Sequence, residues 1–147
     1  MTEDTQRIVE LIPRLRRYAR AFTGNTDAAD DLVHNTLKRA REELHLVPPG
    51  PDLRIWLYSL MHHVPIADAQ HIAEPSPPRD LERAVAQLER DQRAVLLLVC
   101  TEGLTYDEVA RVLGVPVGSV MARLSSAREK LRVLLGNEAG ARLKAVR

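Results

Sequence analysis

Residues 105–132 read TYDEVARVLGVPVGSVMARLSSAREKLR, and this stretch decides the fold of the C-terminal half of the chain. Thr105 followed by Glu108 has the spacing of a capping box, in which two side chains satisfy free backbone groups at the start of a helix. The stretch therefore predicts a short helix, which Gly114 ends. The residues expected to face inward on this helix are Val109, Ala110 and Leu113.

A second, longer helix is predicted from Val117 onward. Its apolar residues recur at spacings of three and four, and they are Val117, Val120, Leu124, Ala127 and Leu131. A short helix, a turn with glycine and a longer helix are typical of the helix-turn-helix, whose second helix lies in the major groove of DNA. The pattern alone leaves one alternative open, a helical hairpin with a solvated basic face.

Composition favours helices and excludes a role that depends on bulk charge. Hydrophobic residues make up 45% of the 147 residues and aromatic residues only 3%, so the core must consist of Leu, Val, Ile and Ala. We therefore predict an all-α protein. Basic and acidic residues nearly balance, at 21 and 20, so nucleic-acid binding would need a local basic patch. Residues 117–135 carry four basic residues and one acidic residue.

The single cysteine and the hydropathy pattern exclude further classes. One cysteine cannot form a disulfide framework, and the apolar neighbours of Cys100 predict that it is buried. The N-terminus has no signal-peptide pattern, and the longest apolar run, residues 94–100, is far shorter than the roughly 20 residues of a membrane span. We expect a cytoplasmic protein without membrane insertion.

Catalytic and metal-binding motifs are not found in the sequence. It has no glycine-rich phosphate loop and no nucleophile motif, so we expect neither an enzyme nor a cofactor. His62, His63 and His71 lack a cysteine or carboxylate at a usual ligand spacing, so we expect no metal site.

The chain divides into two helical units at residues 65–78, PIADAQHIAEPSPP, where the apolar periodicity is lost. Before this linker we predict three helices. Gly24 ends the first helix, and Thr26 is the expected N-cap of the second. Asp52 is the expected N-cap of the third helix, which carries Trp56 as a core anchor. After it, two helices that divide near Arg90 and Asp91 precede the helix-turn-helix, and Gly103 closes the second of them. The predicted ranges are 1–65, a Pro-rich linker at 66–79, 80–136 and a C-terminal tail at 137–147.

Two stretches of the sequence resemble a known family. From Glu102 onward, EGLTYDEVARVLGVPVGSVMARLSSAREKLR resembles region four of bacterial sigma factors. In the first unit, LRRYARAFTGNTDAADDLVHNTLKRA and PGPDLRIWLYSLMHH resemble sigma region two. The resemblance covers about four-fifths of the chain. Both motifs in this order, with a linker between them, resemble the extracytoplasmic-function sigma factors, and the general-stress branch most closely.

This resemblance implies a function in transcription initiation, with core RNA polymerase, promoter DNA and an anti-sigma factor as partners. The first unit would dock on the β′ clamp of the polymerase, and the second unit on the β flap. The residues that would contact the clamp are Asp30, Asp31, His34 and Asn35. Those at the position of the minus-10 loop are Asp52, Leu53 and Arg54. The residues that would read or hold minus-35 DNA are Ser119, Met121, Ala122, Arg123, Ser126, Arg128 and Lys130.

Three departures from the family pattern support an alternative function. No Lys or Arg lies between Arg54 and Arg79, and on the recognition helix Ala122 and Ser126 stand where the family has Ser and Arg. The linker of 14 residues reaches at most roughly 50 Å when extended, whereas two promoter elements lie roughly 70 Å apart. The alternative is a sigma mimic that sequesters an anti-sigma factor without binding DNA. Such a mimic, or a sigma factor held by an anti-sigma factor, would pack its two units together. For Arg123 the alternative to a DNA contact is a surface ion pair with Glu102 or Glu108.

Overall fold

The computed structural model of the chain describes residues 3–50, 52–63 and 80–145, and the regular structure in this part is helical throughout. A short 3-10 helix lies at Leu44–Leu46. The α-helices are α1 (Glu3–Thr23), α2 (Thr26–Glu42), α3 (Asp52–His63), α4 (Asp80–Ala86), α5 (Arg90–Cys100), α6 (Tyr106–Leu113) and α7 (Val117–Ala145). The predicted all-α fold is confirmed.

α1 and α2 pack against each other across a tight turn. Gly24 ends α1 with a φ of 70°, a left-handed conformation that glycine adopts without a steric penalty. The Oδ1 atom of Asn25 accepts a hydrogen bond from the backbone N–H of Ala28 at 3.0 Å, so Asn25 caps α2. The predicted cap, Thr26, is wrong by one residue, because Asn25 keeps an extended backbone and Thr26 is already helical.

α3 lies in the middle of the fold, in contact with both α2 and α6. It begins at Asp52, which therefore occupies its first turn instead of the predicted cap position. A carboxylate is favourable there because of the partial positive charge at a helix N-terminus. Trp56 packs against the core but stays partly exposed. The buried residues of α3 are Leu53, Ile55, Leu57, Tyr58 and Met61.

α5 is the central helix of the second unit and contacts α1, α6 and α7. Its residues 93–98 are all buried, and a capping box formed by Glu89 and Gln92 starts it. The prediction that Cys100 is buried is wrong, because this side chain is exposed. Residues 93–98 are buried on every side of α5, whereas Cys100 is the last residue of the helix and lies beyond this buried segment.

α6 and α7 form the predicted helix-turn-helix. The capping box is confirmed: Thr105 Oγ1 accepts from the N–H of Glu108 at 3.1 Å, and Glu108 Oε1 accepts from the N–H of Thr105 at 2.9 Å. Gly114 ends α6 in a left-handed conformation with a φ of 68°. α7 continues beyond residue 136, with a non-helical backbone at Gly136. The core residues of the motif are Val109, Val112, Val120, Leu124, Ala127 and Leu131.

The two units pack directly against each other. α3 contacts α6, and α1 contacts both α4 and α5, so the buried residues of the two units form one hydrophobic core. We expected this compact arrangement of a sigma factor held by an anti-sigma factor, or of a sigma mimic.

Candidate nucleic-acid interface

The predicted DNA-reading residues lie on the outer side of α7. The burial of Val120, Leu124 and Leu131 fixes the rotation of this helix against the rest of the unit. The side chain of Met121, 52% exposed, is a large hydrophobic group in solvent. The exposed members of the predicted set are Met121, Ala122, Ser126 and Arg128, and the partly buried members are Ser119, Arg123 and Lys130.

Arg123 forms an ion pair with Asp91 at the start of α5, with 3.8 Å between Nη2 and Oδ2. The partners expected from the sequence, Glu102 and Glu108, are wrong because both are used elsewhere. Glu108 caps α6, and Glu102 is buried between the two units. An ion pair between side chains this exposed contributes only about 0–1 kcal/mol to stability. Arg123 can therefore exchange Asp91 for a DNA phosphate at little cost in free energy.

A cavity of about 320 Å³ lies beside the predicted DNA-reading residues, between α6 and α7. Sequence reasoning left Tyr106 and Ser125 out of the predicted site. Helical spacing could have found Ser125, since Met121, Ser125 and Arg132 fall on one helix face. The lining residues are Tyr106, Met121, Leu124, Ser125, Arg128, Glu129 and Arg132. Arg132 donates to Glu129 at 2.5 Å, which leaves Arg128 as the lining cation that has no ion pair within the described part of the chain.

The four residues predicted to contact polymerase form an exposed stripe on α2. Asp30, Asp31, His34 and Asn35 are all exposed, and their spacing of one and four residues keeps them on the same side of the helix. Within residues 3–50, 52–63 and 80–145 none of them takes part in an ion pair. The stripe is therefore free to contact a partner.

The residues predicted to contact the minus-10 element lie where α3 meets the second unit. Asp52 forms an ion pair with Arg111 of α6 at 3.5 Å. Arg54 donates through Nη1 to the backbone oxygen of Glu102 at 3.3 Å. Leu53, only 3% exposed, belongs to the core. In this arrangement Oδ1 of Asp52 and Nη1 of Arg54 contact the second unit, and 53% of the Asp52 side chain stays exposed.

A buried hydrogen bond joins the two units next to these contacts. The hydroxyl of Tyr58 donates to Oε1 of Glu102, and Thr101 donates to Oε2 of the same carboxylate at 2.9 Å. Burial raises the pKa of Tyr58, and the hydrogen bond to Glu102 raises it further, so the phenol keeps its proton at any physiological pH.

Aromatic and cationic side chains form a second contact between the units. The guanidinium groups of Arg90 and Arg93 lie 5.7 and 5.5 Å from the ring centre of Phe22. The Tyr18 hydroxyl and the Nε2 atom of His62 are 2.7 Å apart, in a hydrogen bond within the first unit. Burial lowers the pKa of Arg93, whose Nε has no hydrogen-bond partner within the described residues. Cation–π attraction to Phe22 offsets part of this cost.

His62 is uncharged in the folded protein. Its withdrawal from water lowers its pKa to about 3, and the charges of Arg90 and His63 lower it as well. Nε2 of the neutral imidazole either accepts from the Tyr18 hydroxyl or donates to it, depending on the tautomer.

A metal-binding cluster and a membrane-spanning helix are both absent from the part of the chain that the structure describes. Among residues 3–50, 52–63 and 80–145, no three His, Cys, Asp or Glu side chains come together as a metal site would need. His71, one of the three histidines considered for a metal, lies outside the described residues. In the same part of the chain, none of the helices has the length and apolar character needed to cross a bilayer.

Comparisons with known proteins match each unit separately. Residues 8–62 match the family model described as the Sigma2 domain of PhyR, and residues 79–131 match the model described as Sigma-70, region 4. The ECF RNA polymerase sigma factor EcfG of Rhodopseudomonas palustris is 33% identical over 87% of this chain and 82% of that protein.

Solved structures show the same arrangement of helices. The sigma factor RpoE of Bartonella quintana, in complex with the anti-sigma factor NepR, superposes with a TM-score of 0.73 and 26% identity, over 89% of this chain and 95% of that one. The anti-anti-sigma factor PhyR of Bartonella quintana, also complexed with NepR, has a TM-score of 0.68 and 23% identity, over 86% of this chain and 48% of that one. At this identity the second likeness concerns the fold alone.

A three-helix unit followed by a region-four helix-turn-helix defines a protein of the sigma-factor class. Within that class, the chain belongs to the extracytoplasmic-function (ECF) family of RNA polymerase sigma factors.

Proposed function

We propose that the chain directs core RNA polymerase to promoters and starts transcription there, as a member of the general-stress branch controlled by an anti-sigma factor. The outer face of α7 carries this proposal. Its side chains contact solvent or, at Arg123, a weakly held surface partner, so the helix can enter a major groove without unfolding anything. On this proposal the protein performs no chemistry of its own.

The stripe on α2 supports a polymerase contact in the first unit. Two carboxylates beside His34 and Asn35 present acceptors that suit a basic partner surface, and an exposed stripe of this kind is a recognition surface for charged side chains. We assign this stripe to the β′ clamp, and the second unit to the β flap and minus-35 DNA.

Reconstitution with core polymerase tests the proposal. We expect a promoter-dependent transcript with the wild-type chain, and a lower yield with Asp30→Asn/Asp31→Asn because the stripe loses both charges. Glu10→Gln is the control, since Glu10 is an exposed acid on α1 and not on α2. The absence of any promoter-dependent transcript from a panel of stress promoters would refute the proposal.

A second candidate function is a sigma mimic that sequesters an anti-sigma factor. It is favoured by the match of residues 8–62 to the sigma-like domain of PhyR, an anti-anti-sigma factor by its description. The engagement of Asp52 and Arg54 by the second unit also favours it.

The two candidates differ in their behaviour toward DNA. Both predict a tight complex with an anti-sigma factor of the NepR kind, which RpoE and PhyR of Bartonella quintana bind. The mimic predicts no binding to promoter DNA even when core polymerase is present. Retained promoter binding at physiological salt would count against the mimic.

A further inference from the structure

A strongly basic stretch lies on α1, outside the residues predicted to bind DNA. Residues 11–24 contain four basic residues and no acidic residue, a net charge of +4, whereas residues 117–135 carry four basic residues and one acidic residue, a net charge of +3. The four residues on α1 are Arg14, Arg16, Arg17 and Arg20, and all of them are exposed. We call this set the α1 basic surface.

The α1 basic surface forms no ion pair within residues 3–50, 52–63 and 80–145. Arg7, the remaining arginine of α1, in contrast pairs with Asp4 and donates to the backbone oxygen of Gly50. Side chains three or four residues apart are neighbours on a helix, and like charges at this spacing destabilise it. In the described part of the chain, no ion pair offsets this cost.

The geometry of α1 allows several of these arginines to contact one partner together. The burial of Leu15, Tyr18 and Phe22 turns the arginines toward solvent. Arg14 and Arg20 are six residues apart, which is about 9 Å along the helix axis. The same length of duplex DNA carries about five phosphates. The α1 basic surface can therefore contact more than one phosphate of the same duplex.

The surroundings of these arginines distinguish between possible anionic partners. The other exposed residues within 13–21 are Pro13 and Ala21, and both aromatic residues of α1, Tyr18 and Phe22, are buried. Proteins that bind single strands stack the bases on aromatic rings, and protein interfaces centre on large buried anchors. Arginines without such neighbours suit the phosphates of a duplex, where contacts carry no sequence information.

We propose that the α1 basic surface binds the phosphate backbone of duplex DNA, whatever the base sequence. The four arginines are exposed while the two units are packed together, so this contact needs no rearrangement. It lies outside the residues assigned to the two promoter elements and goes beyond the proposed function. It also supplies the first unit with cations that the following sequence lacks, since no Lys or Arg lies between Arg54 and Arg79.

The test uses the full chain and duplexes without promoter elements, so its result does not depend on promoter recognition. Arg17→Gln/Arg20→Gln removes two charges of the α1 basic surface, and glutamine has a helix propensity close to that of arginine. The matched control is Lys38→Gln/Arg41→Gln, which removes two exposed charges of α2 that form no ion pair within the described residues. Fluorescence anisotropy measures the affinity for two unrelated duplexes at several salt concentrations. Thermal melts followed by circular dichroism check that both variants fold.

We expect Arg17→Gln/Arg20→Gln to weaken binding equally on both duplexes. The slope of log affinity against log salt should fall by about two units, because each lost phosphate contact removes about 0.9. The control variant should match the wild type. Equal losses for the two variants would assign the effect to net charge alone and overturn the proposal. Unchanged duplex binding would overturn it as well, and weakened binding of poly-glutamate would then identify an acidic protein as the partner.

Discussion

Arg123 is the single residue on which the DNA-reading role of α7 can be tested most directly. We expect Arg123→Ala to weaken binding to minus-35 DNA, because the side chain can leave Asp91 for DNA at little cost. If it contacts phosphate, the loss should be similar on every sequence, and the slope of log affinity against log salt should fall by about one unit. If it contacts a guanine, the loss should be about 1–3 kcal/mol and confined to one base pair.

Asp91→Asn is the matched control for Arg123. It breaks the same ion pair but keeps the cation, so DNA affinity should stay the same or rise. Titrations at two salt concentrations separate these outcomes. An affinity of Arg123→Ala equal to that of the wild type would remove this residue from the DNA-reading set.

His62 makes the stability of the fold depend on pH. In the unfolded chain its pKa is about 6.5, whereas in the folded protein it is lowered to about 3. Between these values only the unfolded state takes up the proton, so the free energy of unfolding should decrease as the pH falls through this range. The expected slope is about 1.4 kcal/mol per pH unit.

The His62 contribution is isolated by comparison with His62→Gln, which cannot titrate. Urea unfolding at several pH values measures the free energy of unfolding of both proteins. The difference in this free energy between wild type and variant should shrink as the pH falls from about 6.5. Two parallel curves would show that His62 is not the responsible group.

At the scale of single elements, the start of α6 offers the clearest prediction. Thr105→Ala removes one arm of the capping box and leaves the N–H of Glu108 without its partner. We expect the free energy of unfolding to fall by about 1 kcal/mol, measured by urea unfolding. Ser126→Ala, on the exposed side of α7, should change it by less than about 0.5 kcal/mol. Equal effects of the two substitutions would contradict a stabilising cap.

The elements themselves could be predicted from the sequence because their signals are local. The capping box at Thr105 and the stop at Gly114 each depend on residues within one turn, and both are confirmed. The errors are local as well. Asn25 and Thr26 can both cap a helix, and only the backbone angles decide between them. The apolar neighbours of Cys100 predict burial, but Cys100 ends α5 beyond the buried segment and is exposed.

At the scale of the whole molecule, the shared core predicts that the two units unfold together. Leu98 is fully buried in the second unit, and Leu98→Ala should lower the free energy of unfolding by about 2–5 kcal/mol. Because the core is continuous, unfolding followed by the fluorescence of Trp56 in the first unit should show the full decrease in the free energy of unfolding.

The comparison for Leu98→Ala is Leu46→Ala, where the leucine is 56% exposed and the expected loss is small. Both variants are followed by Trp56 fluorescence and by circular dichroism of the helices. A fluorescence midpoint that stays at its wild-type value in Leu98→Ala would mean that the units unfold independently.

The contacts between the two units could not be predicted from the sequence, for a physical reason. Tyr58 and Glu102 are 44 residues apart, and Arg54 is 48 residues from the backbone atom that it binds. No periodicity or spacing rule connects such positions, because the pairing depends on how two finished units dock. Asp52, Leu53 and Arg54 lie at the start of α3, and their minus-10 role stays a prediction. The partners of Asp52 and Arg54 in the second unit could not be predicted from the sequence.

The direct packing of the two units also determines how the protein responds to dilution. Both halves of the contact belong to one polypeptide, so the fraction of molecules in which the contact forms does not depend on protein concentration. The occupancy of a separate binding protein, in contrast, falls as both proteins become scarce. At low copy number, the contact between the two units therefore needs no second protein to form.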